Sequence, residues 1–134
     1  LVLGFLLPMF ISGAIGSYLF YAQHNFPGAT YADKESWTFA NAAMNSSSFI
    51  RGGAVMRWLT ANIGYHQIHH ANARIPFYRL PEVYAAMPEF QAAKTTSLWP
   101  RDIRACLRLK VWDPNQGRML SMRELREMSA ALAA

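Results

Sequence analysis

From Leu1 to Asn25 the chain carries no Asp, Glu, Lys or Arg, and its first charged side chain is Asp33. Leu1 to about Ala22 therefore predicts a transmembrane helix. Roughly 22 residues at about 1.5 Å each cover some 33 Å, against a hydrocarbon core of about 30 Å. Pro8 predicts a kink, while Gly4, Gly13 and Gly16 with Ser12 and Ser17 offer close helix approach. Tyr18, Phe20, Tyr21 and Phe26 thicken toward the far end as an interfacial aromatic belt does. A buried helix of a soluble core is the competing reading, and the length without charge argues against it. A signal peptide is disfavoured, because there is no basic n-region and no small-x-small cleavage site stands out.

Beyond that span the pattern changes to short amphipathic pieces. Pro27-Gly28 breaks the first helix, and residues 31–44 predict a helix with Trp37, Ala40 and Met44 on one side. Asn45-Ser46-Ser47-Ser48 reads as a polar turn that is also, by chance, an N-x-S sequon. After Gly52-Gly53, residues 54–72 predict one continuous interfacial helix, with Arg51 and Arg57 placed to snorkel to headgroups. Residues 74–81 predict an extended connector, followed by a short helix from Pro81-Glu82 to about Met87. A helix over 101–111 follows Pro100 and stops at Asp113-Pro114. Ser121-x-x-Glu124 is a capping-box pattern for a last helix with Leu125, Met128 and Leu132 on its apolar side. The expected fold class is all-α: an integral membrane helix (1–22), a histidine-bearing interfacial and cytosolic region (23–80), and a basic cytosolic C-terminal tail (81–134).

Composition sharpens this division. A hydrophobic fraction of 52% and a mean hydropathy of +0.02 average an uncharged start and a charged end. The net charge of +5 comes chiefly from Arg101, Arg104, Arg108, Lys110, Arg118, Arg123 and Arg126. Basic residues after a membrane span suit the anionic cytosolic leaflet. Arg101, Arg104 and Arg108 form one stripe, read as a solvated face. No nucleic-acid motif appears, and a nucleic-acid domain would not carry the apolar run. Cys106 is the sole cysteine, so there is no internal disulfide framework and no thiolate metal site.

Three of the four histidines lie in Asn62-Ile63-Gly64-Tyr65-His66-Gln67-Ile68-His69-His70. On a helix His66, His69 and His70 share one face at i, i+3 and i+4, with Asn62 one turn earlier. Met56, Leu59 and Ile63 fall on another stripe, suited to burial. Three converging imidazoles are poor core material and good metal ligands, since neutral imidazole binds iron, zinc or copper. H-x-x-H-H lacks the glutamate of H-E-x-x-H, so a zincin-type protease has no general base there. No Asp or Glu occurs between Glu35 and Glu82 to complete a carboxylate-rich iron site. An all-histidine site at the membrane edge fits best. His24, at the predicted exit of the first helix, is either an ordinary interfacial residue or a fourth ligand. Two metals need more than four histidines, and the chain starts at Leu1 within an apolar run. We therefore expect it to be the C-terminal part of a longer protein.

Gln23-His24-Asn25-Phe26, then Trp58 through Asn62-Ile63-Gly64-Tyr65-His66-Gln67-Ile68-His69-His70, then Arg74-Ile75-Pro76-Phe77-Tyr78-Arg79-Leu80, resembles the end of a membrane fatty acid desaturase, nearest in appearance to bacterial acyl-lipid enzymes of the delta-12 type. The resemblance covers nearly the whole chain, most specifically Tyr21 to Leu80. It implies that His66, His69 and His70 are the last of three histidine boxes, that His24 is the ligand past the last membrane helix, and that Asn62 is a second-shell or water-mediated partner. Both earlier boxes are missing from these residues, so the fragment alone is expected to be inactive. The resemblance further implies two non-haem iron ions, dioxygen as co-substrate, an acyl-lipid or acyl-CoA substrate, and ferredoxin or cytochrome b5 as electron donor. It places the protein in a membrane, the bacterial inner membrane by analogy, with the histidines on the cytosolic face. Trp37, Phe39, Phe49 and Trp58 are candidates for lining the substrate tunnel. A hydroxylase, ketolase or epoxidase on the same scaffold would share these boxes. From other classes come a non-catalytic metal-binding membrane protein and a membrane-surface binding module.

Overall fold

The computed structural model describes residues 1–132. A π-helical turn, Val2–Leu6, runs into helix α1, Leu7–His24. Together Val2–His24 make 23 residues long and apolar enough to cross a membrane. Most of their side chains are exposed; Phe10, for example, is 73% accessible. Only the far end of α1 packs against the rest of the chain, through Leu19, Ala22 and Gln23. Phe26-Pro27-Gly28-Ala29 turns the chain immediately afterwards: Ala29 N–H donates to Phe26 O at 3.1 Å, and Gly28 takes φ +86°. A left-handed φ after proline is the type II arrangement that favours glycine.

The remaining elements form a cap around that end. They are α2 (Phe39–Asn45), β1 (Phe49–Arg51), α3 (Ala54–Leu59), α4 (His66–Ala71), a 3-10 turn (Phe77–Arg79), α5 (Leu80–Ala86), α6 (Pro88–Gln91), β2 (Thr95–Ser97), α7 (Pro100–Arg108), β3 (Leu109–Asp113), β4 (Arg118–Ser121) and α8 (Met122–Leu132). The strands correct the all-α expectation: β1 pairs in parallel with β2, and β3 with β4 in an antiparallel hairpin. The hairpin reads as the tail of the predicted 101–111 helix until the turn is considered. Asp113 Oδ1 accepts from the Asn115 and Gln116 amides, and Gly117 at φ +60° closes the loop.

Strand β1 divides the cap into two apolar clusters because adjacent strand side chains point to opposite faces. Ile50 joins Leu19, Ala22, Phe26, Ala29 and Cys106 around the end of α1. Phe49 joins Tyr65, Ile68 and Leu80 under α4. Cys106 brings α7, the start of the basic segment, into the first cluster. Pro100 opens α7 at its first turn, where its missing N–H costs nothing. The last helix starts as its sequence predicts: Glu124 N–H donates to Ser121 Oγ at 3.2 Å, and Ser121 N–H to Glu124 Oε2 at 2.8 Å.

The expected continuous helix over 54–72 is two helices. Between α3 and α4, Ala61 and Asn62 stand at φ 49° and 57°, a left-handed conformation that ends a helix. Asn62 N–H donates to Arg57 O at 2.8 Å, a C-terminal closure for α3. Met56, Leu59 and Ile63 accordingly do not form one buried stripe; Leu59 is exposed. The same break lets Gly64 meet β1: Ile50 N–H donates to Gly64 O at 2.8 Å. A Cβ on Gly64 would stand 2.6 Å from Ile50 O, which is backbone and cannot step aside. Gly64→Ala should therefore destabilise the cap by about 1–3 kcal/mol, whereas Gly53→Ala, with open space around it, should stay within about 0.5 kcal/mol. Thermal unfolding of the two variants in detergent decides this; equal midpoints would contradict the close packing.

Candidate metal centre

Helix α1 ends on His24, and its last turn must find partners for carbonyls that no further turn serves. Each of its last four carbonyls finds one. Tyr21 O accepts from Asn25 N–H at 2.8 Å, and Ala22 O from Ser48 Oγ at 3.1 Å. Gln23 O accepts from Ser48 N–H at 2.9 Å, and His24 O from the Tyr31 hydroxyl. The polar turn Asn45–Ser48 is thereby laid across the helix end. Its Ser46 carbonyl lies 3.1 Å from His24 Nδ1. A carbonyl only accepts, so Nδ1 carries the proton and Nε2 presents its lone pair.

That lone pair meets two more imidazoles. His66 Nε2 lies 2.9 Å and His70 Nε2 3.3 Å from His24 Nε2, and the His66 and His70 Nε2 atoms are 3.0 Å apart. His66 and His70 are i and i+4 on α4, so one helical turn aims both at the same point. Three neutral imidazoles with one N–H each cannot all donate inward once His24 has spent its proton on Ser46. Two nitrogens each about 2.0–2.1 Å from a tetrahedral ion would be roughly 3.3 Å apart, close to the separations found. The donor set and spacing fit a metal ion with affinity for imidazole.

Electrostatics favour the deprotonated ligands. His66 is 6% exposed, and burial, followed by the neighbouring charges of His70, His24 and His69, pushes its pKa down to about 3. His70 is also lowered, first by burial and then by His24 and His69. His66 Nδ1 is buried with no hydrogen-bond partner among the described residues.

His69 takes another direction. It is absent from the three-nitrogen cluster. It lines a cavity of about 510 Å3 with Ile63, Arg74, Ile75, Phe77 and Leu80. Asn62 is likewise turned away: its Nδ2 donates to Phe77 O at 3.1 Å, because the left-handed break removes it from the α4 face. The aromatic candidates for a tunnel lie elsewhere. Trp37, Phe39 and Trp58 are exposed, and Phe49 stacks on Tyr84 with ring centroids 5.0 Å apart. Sequence reasoning overlooked Gln23 and Ser48. Both are buried polar residues, Gln23 directly beside His24 and Ser48 inside the polar turn.

An apolar helix long enough to cross a membrane thus ends on a residue that joins two histidines of an H-x-x-H-H segment in a cluster that could hold a metal ion. The family model for fatty acid desaturases matches residues 1–102. A "Fatty acid desaturase" of Bacillus subtilis (strain 168) is 32% identical over 126 residues, 93% of this chain and 35% of the relative. The chain belongs to the fatty acid desaturase family, and it spans about a third of that relative's length. No solved structure matches.

The depressed pKa values give a signed expectation for metal-free protein. A histidine held below its unfolded value of 6.5 contributes stability that is present above about pH 6.5. That stability is lost as the pH falls from there toward about 3, because the unfolded chain takes up the proton first. After chelation the unfolding midpoint should fall between pH 7 and 5, and fall less steeply in His66→Gln. An identical slope in the variant would contradict a buried neutral His66.

Proposed function

We propose that these residues form the C-terminal part of an oxygen-dependent desaturase that introduces a cis double bond into an acyl chain at a histidine-held pair of irons. The observation that carries this reading is the convergence of His24, His66 and His70 through Nε2 at the end of an apolar helix, in a chain of the desaturase family. These three residues would hold one iron. His69, facing the adjoining cavity, would serve the second, with further ligands supplied upstream of Leu1.

Iron with dioxygen supplies the oxidising power to break unactivated C–H bonds, which no side chain has alone. Overall, two hydrogens leave adjacent methylenes, and two electrons and two protons from outside complete the reduction of dioxygen to two waters. Ferredoxin or cytochrome b5 is the proposed electron source. The chain's own residues do the holding. Ser46 O keeps the His24 proton on Nδ1, and burial keeps His66 neutral. Apolar Ile63, Ile75, Phe77 and Leu80 beside His69 suit an acyl-lipid or acyl-CoA chain. Asn62, bonded to Phe77 O, would act by fixing this cavity wall rather than through a water on iron. We place the cap on the cytosolic side of the membrane, the bacterial inner membrane by the same analogy.

Expression of the full-length gene should raise the number of double bonds in cellular fatty acids, read by gas chromatography and mass spectrometry. Alanine at His24, His66 or His70 should lower product by more than the roughly 10–100-fold that an outer-shell partner costs. His69→Ala should reduce bound iron from two toward one per chain. Hydroxylated acyl products would instead point to a hydroxylase on the same scaffold. Retention of one tightly bound metal without oxygen consumption would point to a structural metal site.

The side assignment has its own check. Asn45 is exposed and followed by Ser46-Ser47, so translation of the full-length chain into eukaryotic microsomes should leave it unglycosylated. A mobility shift removed by endoglycosidase and abolished by Asn45→Gln would put the cap on the lumenal side.

A further inference from the structure

We propose that Gln23 is a positioning residue of the metal centre, its buried carboxamide setting the distance between the helix that carries His24 and the turn that leads into His66 and His70. This rests on the metal reading above. Gln23 is 2% exposed, and its Nε2 donates to Ile63 O at 2.8 Å. Ile63 precedes His66 by three residues, and the segment between α3 and α4 is irregular. Backbone helix bonds therefore do not hold this carbonyl, and the side-chain bond does. On its own backbone, Gln23 O accepts from Ser48 N–H at 2.9 Å. One residue thus joins α1, the turn whose Ser46 carbonyl orients His24, and the approach to α4.

The reason to read this as positioning rather than packing is geometric. His24 is 42 positions from His66 in the chain, and the spacing of their Nε2 atoms must be held to within about 0.5 Å for them to share an ion. α1 and α4 make few direct contacts: α4 rests mainly on α2, α5 and β1. The Gln23 amide is the side-chain bond that crosses from the His24 turn to the His66 turn without passing through the imidazoles. Asn25, two residues on, crosses the other way. Its Nδ2 donates to Cys106 O at 2.9 Å and to Leu109 O at 2.8 Å, tying the same helix end to α7 and β3.

This pair gives the test. Full-length protein in detergent is stripped of metal and titrated with Co2+, read by its d–d absorption and by equilibrium affinity. Gln23→Met keeps the volume and removes the donor. It should bind Co2+ roughly 10–100-fold more weakly than wild type, with shifted d–d bands. Asn25→Leu should lower thermal stability and keep wild-type Co2+ affinity and bands. Wild-type affinity and spectrum in Gln23→Met would overturn the proposal, as would equal weakening in both variants, which would reduce the effect to general loosening of α1. Absence of Co2+ binding by the wild type would overturn the metal reading itself. Should Gln23→Met fail to fold, Gln23→Asn retains a donor one methylene too short. Weakened Co2+ binding by that folded variant would support the proposal, and unchanged binding would overturn it.

Discussion

The four carbonyls at the end of α1 are the constraint from which the cap is built. A helix long and apolar enough to cross a membrane must stop somewhere, and its final turn then carries acceptors with no partner in the helix. Leaving a buried acceptor unpaired costs about 1–3 kcal/mol, so four of them would consume much of the stability of a small domain. Here Asn25, Ser48 and Tyr31 supply the donors. The Asn45–Ser48 turn is thereby fixed against the helix end, and β1 begins at Phe49 directly after it. Placing β1 places Gly64 and Tyr65, through the Ile50–Gly64 bond and the Phe49–Tyr65 bridge. The next residue is His66. The route from helix termination to the imidazole cluster is therefore short.

Much of this was legible in the sequence, because its strongest signals are periodic or local. The uncharged run up to Asn25 and the apolar helix it predicts coincide within two residues of His24. The Ser121–Glu124 capping box forms as read. His66 and His70 converge because i,i+4 spacing is a property of the helix itself, and His24 joins them where the first helix was expected to end. The open question over His24, interfacial residue or ligand, turns on tertiary placement alone, and the structure puts its Nε2 at the cluster.

What was not legible depended on backbone conformations that propensity does not reveal. Ala61 and Asn62 occupy left-handed geometry although Ala61 has no chemical reason to prefer it. The helical reading of 54–72 ran straight through them, and so placed Asn62 on the ligand face. The strands were missed for a related reason. β1 and β2 are three residues each, too short to show alternation, and they pair across 46 positions of sequence. Such pairing is decided by the two apolar clusters they separate, not by their own residues.

The divergence of His69 from its neighbours follows from the brevity of α4. On a long helix i, i+3 and i+4 side chains spread over only part of one face, and all three could turn inward. Helix α4 has six residues and packs through His66, Gln67 and Ile68, so its buried side is fixed by Ile68 and Gln67. His66 and His70 then flank α1, while His69 stands toward the cavity walled by Ile63 and Phe77. Its ring is 5.8 Å from that of His66 and 6.1 Å from that of His70. An H-x-x-H-H segment folded this way divides its imidazoles between two places. Of the pair that shares a point with His24, His66 is buried and His70 is exposed, while His69 lines the neighbouring cavity.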